Sequence, residues 1–373
     1  MLPVASARNP SNGRIEKCVQ PLPPRITVSI QGRQVAVRAW ERKVTGVAGA
    51  TVPVYLLDTD LPENATDDRM LTHFLYGGDS TYRLAQEVVL GIGGVRMPRA
   101  LGHEQIDRFH LNEGHSALLV MELLAERLRA SGRSTVNTED VEKVRQLCVF
   151  TTHTPVPAAH DQFPMDLAAR VLGSGPMDAL THLSCYGGAL NLTYLALNFS
   201  NYVNGVAMRH GEVSRRMFGG YTIDAITNGV HAERWTSEPF RTLFDRHIPG
   251  WRRDNFSLRY LVSIPRQGIW DAHVAAKLRL LEFVNRTESP PLDPGVLTIG
   301  FARRASAYKR ADLLVTDLER LRAIVRHGGR LQVVYAGKAH PRDEEGKRVI
   351  ERVFQAVTRC GMRSPWRIFK TMT

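Results

Sequence analysis

The chain has no Cys-x-x-Cys spacing. Its four cysteines, Cys18, Cys148, Cys185 and Cys360, are scattered. That argues against a zinc ribbon or a disulfide framework and fits a reduced, cytoplasmic setting. No run approaches the roughly 20 apolar residues that a membrane-spanning helix needs, so no membrane association is expected. The first residues carry Arg8, Arg14 and Lys17 without an apolar stretch, and no secretory signal is expected. There is also no dense Lys/Arg tract and no RNA-binding aromatic motif. The net charge of +12 is dispersed, and groups such as Arg127-Leu-Arg129 and Arg252-Arg253 sit among apolar or acidic residues. Such a balance suits anionic ligands such as phosphates better than nucleic acid. Finally, Gly91-Ile-Gly-Gly94 is not followed by Gly-Lys-Ser/Thr, so it reads as packing rather than as a phosphate loop.

The 373 residues suffice for about two domains, and 43% of them are hydrophobic. Residues 1–25 read as an irregular lead-in. Ile26 to Val37 alternate apolar and polar around Gln31-Gly32, a hairpin pattern. Val52–Leu57 reads as a strand. Ala117–Leu128 reads as a helix closed by Gly132. Leu147–Thr152 is a short buried strand, residues 187–209 a buried helix, and Tyr221–Thr227 a strand running into the Asn228-Gly229 turn. The proline-rich loop 289–294 is the expected domain boundary, with one partial domain over 26–288 and an incomplete one over 295–373. The second begins as strand 296–302, helix 308–327, strand 331–336, helix 343–358. That order predicts an α/β fold with a parallel sheet.

One junction carries chemistry. The apolar run Val296–Phe301 leads into Arg303-Arg304, and Tyr308-Lys309-Arg310 opens the helix expected over 308–327. Four cations at a helix start would add to a field that already favours anions. Arg forks and a Lys point charge suit phosphate. The same residues would also suit a solvated first turn.

A second group is His110-Leu-Asn-Glu-Gly-His115 together with Thr152-His-Thr-Pro-Val-Pro-Ala-Ala-His160. Its spacing is not that of a zinc helix, so no metal is expected. Histidines hydrogen-bonded at strand ends are one reading. Asn, Glu and His gathered at strand C-termini to recognise sugar hydroxyls are another.

Ten motifs occur in order. They are Leu56-Leu-Asp-Thr-Asp60, Leu75-Tyr-Gly-Gly-Asp79, Arg83-x-x-Gln-Glu87, Gly91-Ile-Gly-Gly94, His110-Leu-Asn-Glu-Gly-His115, Thr152-His-Thr-Pro155, Asn204-Gly-Val-Ala-Met-Arg-His210, Thr227-Asn-Gly-Val-His231 with Trp235, Arg303-Arg304 with Tyr308-Lys-Arg310, and Ala336-Gly-Lys-Ala339. Together they resemble the α-glucan (glycogen or maltodextrin) phosphorylases of the bacterial short-type branch, over roughly residues 26–360. The resemblance implies a GT-B arrangement of two Rossmann-like domains, here part of the first and the start of the second. It implies phosphorolysis of α-1,4-glucan to glucose 1-phosphate with retention, and a pyridoxal phosphate cofactor whose phosphate group moves protons. By resemblance Arg304 and Lys309 bind the substrate phosphate. Arg303 and Lys309 meet the cofactor phosphate, and Tyr308 lines that pocket. His210 touches the reacting glucosyl unit. Asn112, Glu113 and His115 flank the sugar subsites.

The chain departs from the family's pattern in places. The Gly-Gly-Leu-Gly loop and the cofactor-anchoring Lys are not in this sequence, so it is expected to be an inactive fragment, truncated at both ends. Ala305 stands where relatives of this branch carry an aromatic residue. The tail from Pro365 does not read as a strand, and a shifted frame near 361–365 would restore the family's pattern. A sugar-nucleotide-dependent GT-B transferase such as glycogen synthase is the alternative, though its Lys-x-Gly-Gly-Leu loop is absent. A non-catalytic glucan-binding remnant is the third reading.

Overall fold

Tight turn chemistry starts the architecture. In the computed structural model, which describes residues 18–46, 49–74, 78–156, 160–173, 185–286, 291–339, 343–359 and 366–369, strands β1 (Gln20–Ile30) and β2 (Arg33–Thr45) pair antiparallel across Gln31-Gly32. Both turn residues have positive φ, 52° and 76°, as a two-residue primed hairpin turn requires. Val28, Ile30, Val35, Val37 and Ala39 all face one side and are buried, because side chains alternate along a strand. β3 (Thr51–Asp58) adds on β2. The helix Ser80–Ala100 covers the buried face with Leu84, Val88 and Val95. It begins at Asp79, whose carboxylate accepts from the Tyr82 amide at 2.9 Å.

The Gly91-Ile-Gly-Gly94 segment lies inside this helix, so it has no phosphate-loop geometry. A Cβ on Gly91 would stand 2.9 Å from both Leu118 Cβ and the Leu119 amide. The glycine is there for close approach of chain to chain.

The chain divides into two units, Met1–Gly229 and Val230–Thr373. The first also holds a four-stranded parallel sheet in the order β10-β9-β5-β4, from β4 (Phe109–Asn112), β5 (Cys148–Thr152), β9 (Tyr202–Gly205) and β10 (Asp224–Ala225). Leu111 on β4 and Phe150 on β5 are fully buried. Side chains of this size contribute roughly 1.5–3 kcal/mol each on burial. A small antiparallel sheet, β6 (Gln162–Pro164), β8 (Ala189–Asn191) and β7 (Cys185–Tyr186), flanks it in sequence.

Two expectations change here. Residues 187–209 do not form one helix; they form β8, a helix Leu192–Asn198, β9 and the start of the helix Met208–Met217. Asn191 caps the first helix through its side chain, accepting from Thr193 and Tyr194, and that polar cap breaks what composition alone shows as a continuous apolar run. The strand expected over 221–227 shrinks to Asp224–Ala225.

The second unit starts with the short helix Ala232–Trp235, and the helices Glu238–His247 and Arg266–Asn285 follow. Phe244 and the buried Trp251 meet edge to face at 5.4 Å. A parallel sheet follows, β11 (Leu297–Ala302), β12 (Leu331–Ala336) and β13 (Trp366–Phe369), in that order. The helices Leu318–Gly328 and Glu344–Arg359 connect them. β13 corrects the expectation that the tail forms no strand: Val333 to Ala336 pair in register with Trp366 to Phe369. Residues 361–365, where a frame change is expected, lie outside the described residues. The result is a mixed α/β fold with parallel sheets, consistent with a GT-B-like fold. No helix among the described residues is long and apolar enough to cross a membrane.

Candidate strand-end binding sites

Parallel strands deliver their loops to one edge, and ligands of open α/β sheets bind there. At the carboxyl ends of β4, β5 and β9 the chain places Glu113, His153 and His210. Glu113 is buried and adopts φ 63°, ψ 179°, a region that suits glycine and costs a non-glycine residue about 1–3 kcal/mol. Three contacts hold it there. Its amide donates to Thr151 O at 2.9 Å. Its carboxylate accepts from the His153 amide at 2.7 Å and from Thr152 Oγ1 at 3.2 Å. Asn112 ends β4 beside it.

His210 sits in the first turn of the helix Met208–Met217 and is buried. Its Nδ1 faces Ser214 Oγ at 3.4 Å. A Cβ on Gly205 would collide with that nitrogen, so glycine at the end of β9 is what admits the ring. His160 is equally buried, with Nδ1 2.9 Å from Thr193 Oγ1. Both Nε2 atoms are buried, and among the described residues neither has a hydrogen-bond partner. Burial pushes both below the ordinary histidine range, and the Glu113 carboxylate works against that. Two neutral rings, each with an open nitrogen, can exchange hydrogen bonds with hydroxyls.

His115 points elsewhere. Its Nδ1 lies 3.2 Å from Glu87 Oε1 and 3.1 Å from Asp161 Oδ2. Arg83 Nη2 lies 2.9 and 3.0 Å from the same carboxylates. Glu87, His115 and Asp161 have metal-ligand spacing, but the Arg83 guanidinium already supplies the cation between them. His110 bonds Thr151 Oγ1 at 2.7 Å, so the two histidines of that motif serve different partners.

The second unit repeats the strand-end logic with charge. The Arg303 amide donates to Ala336 O, and the Ala305 amide to Lys338 O, both at 3.1 Å. The loops after β11 and β12 therefore run side by side. Gly337, with φ 153°, makes this possible, since a Cβ there would strike the Arg303 carbonyl. Arg303, Arg304, Lys309, Arg310 and Lys338 all belong to these loops or the turn that follows. Among the described residues none of the five has a carboxylate within ion-pair distance, whereas 27 ion pairs occur elsewhere in them. Tyr308 is exposed, and its ring centroid lies 4.5 Å from Lys309 Nζ.

One part of the sequence argument is corrected here. Lys309 and Arg310 do not open an α-helix. They lie in a 3-10 turn, Arg310 is left-handed (φ 52°, ψ 50°), and the helix begins only at Leu318. Its first turn is capped by Asp317, which accepts from the Arg320 amide at 2.9 Å. The dipole of that helix therefore does not act at this corner.

Sequence reasoning gave no role to Asp161, Gly205, Gly337 or Lys338, and it noticed His153 and His160 only as members of a strand-end histidine group. Arg83 and Glu87 were visible only as an i, i+4 pair inside a motif. Nothing in one sequence says that Asp161 returns to that helix.

No family model matches the chain. Curated relatives do. Maltodextrin phosphorylase of Thermococcus litoralis is 38% identical over 88% of this chain and 42% of its own length. Glycogen phosphorylase of Aquifex aeolicus is 33% identical over 88% of this chain and 51% of its own. Glycogen phosphorylase of Mycobacterium tuberculosis is 35% identical over 84% of this chain and 41% of its own. The chain spans about half, or somewhat less, of the length of these relatives. Along most of its own residues it is a homologue of the glycogen and maltodextrin phosphorylases.

Proposed function

We propose that this chain is part of an α-1,4-glucan phosphorylase, a cytoplasmic enzyme that transfers a glucosyl unit from glucan to inorganic phosphate and releases glucose 1-phosphate with retention. The observation that carries the reading is the group of five cations that have no carboxylate partner among the described residues, on the loops that meet at Gly337 after β11 and β12. Unpaired cations repel each other, and a dianion relieves that repulsion.

Within this reading Arg304 and Lys309 bind the substrate phosphate. Each charge-assisted hydrogen bond contributes roughly 1.5–3 kcal/mol. Tyr308 lines the same pocket and faces Lys309. On the other unit, Asn112 and Glu113 flank the glucan, while His115, which resemblance placed beside them, turns into the cluster of Arg83, Glu87 and Asp161. His210 stands beside the reacting sugar, where positive charge develops.

The same corner suits pyridoxal phosphate. A phosphate monoester needs several donors, which the Arg303 and Lys309 side chains offer, while the Arg303 and Ala305 amides are spent in holding the two loops together at Gly337. Arg303 and Lys309 would hold the cofactor phosphate. When bound, that phosphate supplies proton transfer to the substrate phosphate. The chain's own cations offset the repulsion between two neighbouring dianions and keep the substrate phosphate in place.

The test uses the full chain. Titrate it with inorganic phosphate and follow the phosphorus resonance. Arg304→Ala and Lys309→Ala should each weaken binding about tenfold or more, and His210→Ala should leave it unchanged. Maltoheptaose binding should respond in the opposite way. Phosphate affinity that ignores both cation substitutions overturns the assignment.

A further inference from the structure

The Glu113 turn is strained, yet its own hydrogen bonds reach only one neighbour, the end of β5. Two residues further along, His115 is tied to a separate buried group. Arg83 and Glu87 come from the helix Ser80–Ala100, and Asp161 comes from the segment before β6. These three and His115 lie within 2.6–3.2 Å of one another through Arg83 Nη2, Glu87 Oε1, His115 Nδ1 and Asp161 Oδ2. Glu87 is almost wholly buried. His115 Nδ1 can accept from Arg83 only as a neutral ring. As an imidazolium it donates to the two carboxylates instead; burial opposes that charged form and the two acids favour it. On the other side of Glu113, its carboxylate is the acid that acts on the buried His210 ring.

We propose that Arg83, Glu87, His115 and Asp161 form a clamp that positions Glu113, and that His115 therefore acts on the strand-end chamber through Glu113. His115 is a positioning residue in this account. A left-handed non-glycine residue persists only where its surroundings over-determine it. The β5 contacts fix one side of the turn and the clamp fixes the other. The clamp joins the helix, the turn and the segment before β6, so three elements must agree on where Glu113 points. The proposal rests on the reading above only for the identity of the ligand, a glucan. The clamp itself can be tested with no ligand present, so the two ideas fail separately.

The groups facing His210 are Glu113, His153, His160 and Ser214. No clamp residue is among them. The imidazole of His210 therefore reports on Glu113 without contact from the clamp. Label histidine side chains in the full chain and follow the His210 ring signal by NMR from pH 5 to 9. Glu113→Gln should move the His210 midpoint to lower pH, since it removes an attracting carboxylate. His115→Gln should move it the same way, because Glu113 loses its fixed direction. Exchange of the His153 amide, which bonds Glu113, should speed up in His115→Gln. If His115→Gln does not fold, Glu87→Gln is read by the same two signals. A His210 midpoint and a His153 exchange rate that stay at their wild-type values in the folded clamp variant overturn the proposal. So does a His210 midpoint that ignores Glu113→Gln.

Discussion

Replacing Glu87 by glutamine should change how stability depends on pH, and the size of the effect follows from the burial of its carboxyl. Burial is the main cause that raises Glu87 from 4.5 to about 7; the His115 hydrogen bond opposes it, and the Asp161 charge adds to it. The folded protein therefore holds a proton on Glu87 where the unfolded chain has lost it. Stability is fully present below pH 4.5 and falls as pH rises through 7. A gap of this size corresponds to roughly 3 kcal/mol. For a unit of this length that is about 6–12 °C in melting temperature. His115 acts in the next window. Two carboxylates outweigh burial and raise it from 6.5 to about 9, so its contribution is complete below 6.5 and is lost as pH rises through 9. Wild-type stability should thus fall in two overlapping stages between pH 5 and 9. Glu87→Gln has no proton to lose, so its profile should be flat from pH 5 to 6.5 and fall only above that. Thermal melts by circular dichroism at constant ionic strength measure this directly. Parallel wild-type and Glu87→Gln profiles across pH 5–7 would refute the reasoning.

Other substitutions test the packing and the corner of cations. Phe150→Ala, at the fully buried centre of β5, should cost about 3–5 kcal/mol in chemical denaturation. Gly91→Val drives a side chain into Leu118 and Leu119 and should cost about 1–3 kcal/mol, with a larger loss in the first unit than in the second by hydrogen exchange. Asp317→Ala removes the cap on the helix Leu318–Gly328 and should cost about 1 kcal/mol, visible as faster amide exchange at Leu318–Arg320. Gly337→Ala should disturb the loop contact with Arg303 and weaken inorganic phosphate binding without touching maltoheptaose binding.

Local patterns in the sequence located the elements whose cause is local. The Gln31-Gly32 turn, the Gly132 stop and the strand Leu331–Ala336 each depend on residues within a few positions. Residues 187–209 misled because composition shows apolarity but not the cap at Asn191, which only matters once β8 and the helix Leu192–Asn198 exist on either side of it. The third strand of the second sheet misled for the opposite reason. Trp366–Phe369 carries no strand alternation, and pairing with β12 decides its state. Tertiary context overrides weak propensity in both cases.

The two candidate sites differ in how far chain order exposes them. Arg303, Arg304, Lys309 and Arg310 are contiguous enough to draw notice as a charge cluster, yet the physical reason first attached to them, a helix start, is replaced by a left-handed turn and a glycine corner. The group on the first unit is spread over Glu113 after β4, His153 and His160 between β5 and β6, and His210 in the helix Met208–Met217, and no local rule joins them. Strain supplies the missing link. Among the described residues only Gln31, Glu113 and Arg310 are non-glycine residues with positive φ. Gln31 is accounted for by its hairpin turn. Glu113 stands at the end of β4 and Arg310 closes the 3-10 turn that follows β11, positions where a backbone serving only stability would be relieved by glycine. Keeping a carboxylate at one and a guanidinium at the other costs stability in the free protein, which is sensible only if what each side chain does there outweighs that cost.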